Sequence, residues 1–215
     1  MSPSHALHDP IFLAYLRIIF VSLLVGGMVL GVLHWGFRKD LGSIWSTYRS
    51  WLVMAPIGLA AVFLGRAPAI IGTTLLAIFG FKEFARASGL YRDWWMTGAV
   101  YAGIVTVGAA SLMSQPQGVE TGPGWYGLFV AVPVYAIALI LVVPILRNRT
   151  RGELQRMSLG VVGFVYIGWM FGHLGFLANA TNAYGYLLYV VFATELNDIA
   201  AFTCGRLFGR HPLRS

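Results

Sequence analysis

Two carboxylic acids near the end of the chain, Glu195 and Asp198, have the spacing of a small metal site. On a helix, residues three apart lie on one face. Mg²⁺ takes oxygen ligands, commonly one or two carboxylates together with substrate phosphates. Arg206 follows eight residues after Asp198, near the same face. Acids and a cation arranged in this way could hold a metal–nucleotide complex, with the arginine meeting the remaining phosphate oxygens.

Small and basic residues follow the acids: Gly205, Gly209, Arg210 and His211 surround and extend Arg206. Charged residues at membrane depth are costly and point by default to a function. A second interpretation stays open at this point. The two acids could pair with basic residues of other helices, and the arginines could be ordinary residues of a basic loop.

The amino-acid composition indicates a membrane protein. Of the 215 residues, 58% are hydrophobic and 11% are charged, whereas an average soluble domain has about 25% charged residues. The net charge of +7 does not indicate nucleic-acid binding, because the basic residues lie in loops between long apolar runs. We therefore predict an all-α fold, a polytopic transmembrane helical bundle that forms a single domain over residues 1–215.

Seven apolar runs predict about seven membrane spans, at approximately 11–35, 51–65, 67–81, 94–113, 125–146, 158–177 and 184–204. The second and third runs have 15 residues each, which is short for a hydrocarbon layer of about 30 Å. If these two runs form a hairpin, thirteen of the fifteen Lys and Arg residues lie on one side, opposite Arg17 and Arg66. The positive-inside rule then predicts the amino terminus outside and the carboxy terminus in the cytoplasm. Residues 195–215 would begin a catalytic segment facing the cytoplasm.

The residues from Asp198 to His211 read Asp-Ile-Ala-Ala-Phe-Thr-Cys-Gly-Arg-Leu-Phe-Gly-Arg-His. This segment resembles a motif of the phosphatidate cytidylyltransferase family, the CDP-diacylglycerol synthases. The family pattern is Asp, two residues, Ala, Tyr, two residues, Gly, Arg or Lys, one residue, Phe, Gly, Lys or Arg, and often His. The match has no gap, and it departs from the pattern at Phe202, where the family usually has Tyr. Upstream of the motif the resemblance is one of apolar character alone.

The resemblance implies transfer of CMP from CTP to the phosphate of phosphatidate, which gives CDP-diacylglycerol and pyrophosphate. It implies Mg²⁺ as the cofactor, with Asp198 as a metal ligand, which Glu195 would join. Asp198 and Arg206 would be the catalytic residues. The residues implied to bind CTP or lipid phosphates are Gly205, Arg206, Gly209, Arg210 and His211.

These implications extend to location and partners. We expect a multi-pass integral membrane protein of a bacterial inner membrane. Its partners would be CTP, phosphatidate and membrane lipid, without nucleic acid, and a homodimer is one assembly left open.

In the same family, a Ser-Pro, Lys, Thr, Glu-Gly segment follows the motif, and a signature with a Lys-Asp pair and a second acid comes later. The present sequence ends at Ser215, before both. We therefore expect an incomplete form of a longer enzyme, without turnover from these 215 residues alone. Two other functions stay open: a CTP-dependent kinase of polyprenol-type lipids, and a transporter or packing subunit whose acids relay protons or pair with a partner helix.

Overall fold

The structure, a computed structural model, describes residues 1–36, 42–114, 124–148 and 152–208. Within these ranges the chain is helical and contains no strand, which confirms the predicted all-α fold class. Two short 3₁₀ turns, Leu90–Arg92 and Leu177–Asn179, and one π-helix, Phe164–Met170, interrupt the α-helices. The α-helices are α1 (Pro3–Ala6), α2 (Pro10–Trp35), α3 (Gly42–Leu64), α4 (Arg66–Ala87), α5 (Trp94–Leu112), α6 (Tyr126–Leu146), α7 (Glu153–Gly163), α8 (Phe171–Phe176) and α9 (Ala183–Phe208).

Six segments of the described ranges are long and apolar enough to cross a membrane, which confirms the polytopic bundle. They are Pro10–Val32, Ile44–Leu64, Arg66–Ala87, Trp94–Leu112, Tyr126–Leu146 and Glu153–Asn179. The predicted seventh span, in α9, is not among them, because Glu195, Asn197 and Asp198 lower its hydropathy. That α9 crosses the membrane, and which side each end faces, stay predictions.

The two short apolar runs form separate helices, α3 and α4, as a hairpin requires. They meet at Gly65, whose φ of +117° is a conformation that only glycine adopts readily. Each helix is longer than its apolar run, so that each reaches about 33 Å. The sequence predicted loops for the basic segments between the apolar runs. This prediction is wrong for residues 42–50, which belong to α3, and for residues 82–87, which belong to α4, because polar residues at the ends of membrane helices stay helical.

Contacts between elements define two ends of the bundle. The first is here called the N-terminal end. There the backbone N–H of Ser2 donates to the hydroxyl of Tyr184 over 3.2 Å. At the same end, Arg66 at the start of α4 donates to the carbonyl of Leu112 at the end of α5 over 2.9 Å. At the opposite end, here called the basic end, α4 and α6 finish and α5 and α7 begin.

The core lies between α4, α5, α6 and the segment from α7 to α8. Phe81, Phe129 and Phe164 are fully buried there. Glycines let the helices approach closely: a Cβ at Gly103 of α5 would lie 2.7 Å from the ring of Phe164. A Cβ at Gly163 would lie 2.8 Å from the ring of Phe81. Small residues at helix contacts are typical of membrane bundles.

The predicted sixth span, 158–177, is not one regular α-helix. After α7 the chain passes through the π-helix Phe164–Met170 before α8 begins. The π-helix is wider than an α-helix, and Gly168 allows it to pack against α5. A Cβ at that position would lie 3.0 Å from the side chain of Ile104.

The hairpin of α2 and α3 lies at the side of this core and exposes most of its large apolar side chains. The hydroxyl of Tyr48 on α3 donates to the carbonyl of Leu23 on α2 over 2.7 Å. Gly27 leaves room for this hydroxyl, since a Cβ there would meet it at 2.5 Å. A hydrogen bond of this kind holds two helices together where lipid supplies no hydrophobic drive for association.

Candidate functional site

The first half of α9 is anchored in the bundle. Tyr184, Leu187 and Leu188 are each no more than 6% exposed. The hydroxyl of Tyr184 donates to the carbonyl of Ser2 over 2.9 Å. The ring of Tyr184 stacks on the ring of His5. These contacts fix the direction in which the rest of α9 leaves the N-terminal end of the bundle.

The second half of α9 presents the two predicted acids. Glu195 is half-buried and Asp198 is exposed. Both lie in one continuous helix, so their side chains start from one face, with Cβ atoms about 5–6 Å apart. Among the described residues, neither carboxylate has a basic partner or a hydrogen bond. The alternative in which they pair with bases of other helices therefore has no support within the described ranges.

The other predicted site residues fall at the end of α9 or beyond it. Arg206 lies in the last two turns of the helix, about 12 Å along the axis from Asp198 and about 80° around it. Gly205 is exposed, and a Cβ there would meet nothing within 4 Å, so no packing contact among the described residues requires a glycine. Gly209, Arg210 and His211 lie outside the described residues.

The donors present fit a Mg²⁺ site that the substrate completes. Within the described ranges, no group of three or more His, Cys, Asp or Glu residues could hold a metal. Two carboxylates one turn apart are nonetheless the oxygen donors that Mg²⁺ uses in nucleotide sites, where phosphates and water complete the coordination. Two such donors would leave most of the coordination of a hard divalent ion to phosphates and water.

Sequence reasoning missed a buried ion network at the basic end. Asp93, just before α5, is 7% exposed and accepts from Arg147 over 2.7 Å and from Arg156 over 3.2 Å. Arg156 also donates to Glu153, which is 4% exposed, over 3.0 Å. The network ties the start of α5 to the end of α6 and the start of α7. The sequence did hold one signal: Asp93 stands directly before an apolar run, which is typical of a helix N-cap.

Asp93 is held in its charged form. Burial raises the pKa of its carboxyl, but the backbone N–H of Met96 and the guanidinium groups of Arg147 and Arg156 together lower the pKa below its ordinary value. The Met96 N–H lies 3.3 Å from the carboxylate, so the same side chain caps α5. Asp93 is thus both a helix cap and the centre of the network.

A second polar cluster closes the N-terminal end. Arg66 donates to the carbonyls of Ser111 and Leu112 over 3.1 and 2.9 Å, and also to the side-chain oxygen of Asn179. Asn179, 5% exposed, donates to the Ser111 carbonyl over 3.1 Å. A cation at a helix C-terminus satisfies carbonyls that have no partner within the helix. Arg66 is one of the two basic residues, with Arg17, that the predicted topology places on the side opposite the other thirteen, and these contacts give it a structural role there.

Comparison with known proteins identifies the family. A family model described as the cytidylyltransferase family matches residues 45–215, about four-fifths of the chain. Comparisons with curated proteins and with solved structures give no match. The matched region includes α9 and both of its acids. Because the match covers about four-fifths of the chain, the protein belongs to the cytidylyltransferase family, whose reaction is the transfer of CMP from CTP.

Proposed function

We propose that the protein transfers CMP from CTP to phosphatidate. A phosphate oxygen of phosphatidate attacks the α-phosphorus of CTP, and a new P–O bond forms there. The bond from the α-phosphorus to the oxygen that bridges to the β-phosphate breaks, and pyrophosphate leaves with the electron pair. The attacking oxygen is already an anion, so the reaction needs charge neutralisation and alignment more than a general base.

The observation that carries the proposal is the carboxylate pair on α9. Two acids whose side chains have no basic partner within the described ranges stand on one helical face, inside the region that matches the family. Unpaired carboxylates beside a membrane bundle are costly unless something compensates their charge. A divalent ion that arrives with a triphosphate supplies that compensation.

The proposed roles follow from the donor chemistry. Asp198 and Glu195 would hold Mg²⁺, which when bound neutralises negative charge on the nucleotide phosphates. Arg206 and Arg210, with His211, would bind phosphate oxygens of CTP or of the lipid through charge-assisted hydrogen bonds. Gly205 and Gly209 would let the phosphates approach the backbone.

The depth of the acid pair favours an acceptor held in the membrane. Asp198 lies about 22 Å along α9 from its start at the N-terminal end of the bundle, in the half directed towards the basic end. A hydrocarbon layer is about 30 Å thick, so an α9 that starts at one edge of it would place the pair about 8 Å inside the opposite edge, on the side of the lipid headgroups at the basic end. The basic residues at this end favour the cytoplasmic leaflet, and we propose that the membrane is a bacterial inner membrane.

The experiment uses full-length protein in membranes with phosphatidate added and CTP labelled at one phosphorus. The proposal predicts that label at the α-phosphorus enters the lipid fraction and that label at the γ-phosphorus does not. A CTP-dependent lipid kinase would give the reverse pattern, with γ-label in the lipid. Absence of both labels from lipid, together with no binding of CTP, would indicate a transporter or packing subunit instead.

A further inference from the structure

A basic groove lies at the turn between α4 and α5. It has a volume of about 500 Å³ and is lined by Arg86, Ala87, Ser88, Gly89, Tyr91 and Arg92. From these contacts we propose that the groove binds the phosphate of an anionic phospholipid headgroup, separately from the acid pair on α9. The inference does not depend on the proposed function.

The charge of the turn suits an anion. Lys82 and Arg86 lie four residues apart on α4, and so on one face, and Arg92 follows in the turn. Glu83 opposes them and lies 3.7 Å from Arg86, in an exposed pair of the kind that contributes little. Asp93 does not offset the groove, because Arg147 and Arg156 already neutralise it. Lys82, Arg86 and Arg92 against Glu83 leave a net positive charge at the turn.

The charged donors of the groove are the side chains of Arg86 and Arg92. The backbone N–H groups of Gly89 and Arg92 already donate within the turn, and the Ser88 hydroxyl donates to the carbonyl of Ala85. Among the described residues, the side chain of Arg92 has no hydrogen-bond or ion-pair partner. The guanidinium of Arg86 lies 5.4 Å from the centre of the Tyr91 ring, a cation–π contact between two residues that line the groove. Guanidinium groups bind phosphate with paired hydrogen bonds.

The depth of the groove indicates a lipid source for that phosphate. Trp94 and Trp95, directly after the turn, are 75% and 64% exposed. Exposed tryptophans at the end of a membrane helix mark the level of the headgroups. Basic pockets beside helices at this level bind anionic headgroups, at about 1 kcal/mol per Lys or Arg.

The test compares lipid binding to purified protein by native mass spectrometry in detergent. The probes are phosphatidylglycerol and phosphatidylcholine with identical acyl chains, so that only the headgroup differs. We expect wild-type protein to prefer phosphatidylglycerol. The double variant Arg86→Gln/Arg92→Gln should bind it about 30-fold more weakly, the factor expected for two cations. Arg49→Gln, which removes an exposed arginine at the start of α3, should bind as wild type does.

A third variant guards against loss by misfolding. Glu83→Gln removes the opposing acid, so it should bind phosphatidylglycerol about 5-fold more tightly, the factor for one charge. Equal affinity of wild type for the two lipids would overturn the proposal. So would a double variant that keeps the preference, or an Arg49→Gln variant that loses as much.

Competition separates the two sources of phosphate. Inorganic phosphate or CTP, added in excess at constant ionic strength, should leave phosphatidylglycerol bound. Displacement by either compound in wild type, but not in the double variant, would make the groove a site for free phosphate or nucleotide and would overturn the lipid assignment.

Discussion

The guanidinium of Arg147, just after α6, lies 2.7 Å from the buried carboxylate of Asp93, just before α5. One contact therefore closes the basic end of the two most closely packed core helices. Breaking a buried ion pair by removing one partner leaves the other charge uncompensated, which is strongly destabilising. This contact gives the sharpest test of the fold.

Asp93→Asn should lower the free energy of unfolding by about 1–3 kcal/mol, because the amide still caps α5 but no longer neutralises Arg147 and Arg156. Thermal unfolding in detergent measures the change. Asp9→Asn is the matched control, since Asp9 caps α2 with bonds to the N–H groups of Ile11 and Phe12 and has no ion pair within the described part of the chain. Equal loss in both variants would mean that capping alone, and not the network, explains the effect of Asp93.

The stability that Asp93 contributes should depend on pH in one direction. The pKa of its carboxyl is lowered in the folded protein, so it binds a proton more readily when unfolded. Its contribution is therefore fully present above its unfolded pKa of about 4 and is lost as the pH falls through the lower folded pKa. The difference in melting temperature between wild type and Asp93→Asn should be constant near neutral pH and shrink below about pH 4. A difference that grows with acid would contradict this sign.

Two glycines on α5 should respond oppositely to alanine. At Gly103 a Cβ would meet Phe164 at 2.7 Å, so Gly103→Ala should destabilise by about 1–3 kcal/mol through overpacking. At Gly98 a Cβ would meet nothing within 4 Å, so Gly98→Ala should be neutral or stabilise by up to about 1 kcal/mol through helix propensity. Melting temperatures of the two variants, measured side by side, check the packing of α5 against the π-helix.

Removal of one acid of the pair should change the metal requirement of CMP transfer. Glu195→Gln removes one of two carboxylate donors, so the Mg²⁺ concentration for half-maximal activity should rise at least about tenfold, the cost of losing even an outer-shell partner. Titration of Mg²⁺ into the α-label assay gives this value. An unchanged requirement would remove Glu195 from the metal site and leave Asp198 as the remaining candidate on this face.

The hydropathy pattern predicted the bounds of a helix correctly where the whole helix is apolar. The runs 94–113 and 125–146 agree with α5 and α6 to within a residue or two, because both are uncharged and end in polar residues. The predicted end of α3 and start of α4 agree with the structure to within one residue, but α3 starts nine residues earlier and α4 ends six residues later than the apolar runs, since a helix can extend into polar residues once it leaves the hydrocarbon. The π-helix has no counterpart in the apolar pattern, because its residues are as apolar as those of the flanking helices.

The polar clusters also differ in whether the sequence could predict them. The acids Glu195 and Asp198 are three residues apart, so their shared face follows from helical geometry alone. The network joins Asp93 to Arg147 and Arg156, each more than fifty positions away along the chain, and no periodicity relates Asp93 to them. Their meeting depends on how α5, α6 and α7 pack, which the sequence does not display locally.

The most direct test of the central claim is the incorporation of label from α-labelled CTP into lipid by the Asp198→Asn variant of the full-length protein, in membranes with phosphatidate and Mg²⁺. Asp9→Asn is the control, because it makes the same chemical change at a helix cap at the opposite end of the bundle. The account predicts a loss of at least about 100-fold for Asp198→Asn, the scale for removing one electrostatic group from a transfer site, with Asp9→Asn unchanged. Wild-type incorporation by Asp198→Asn would contradict the account.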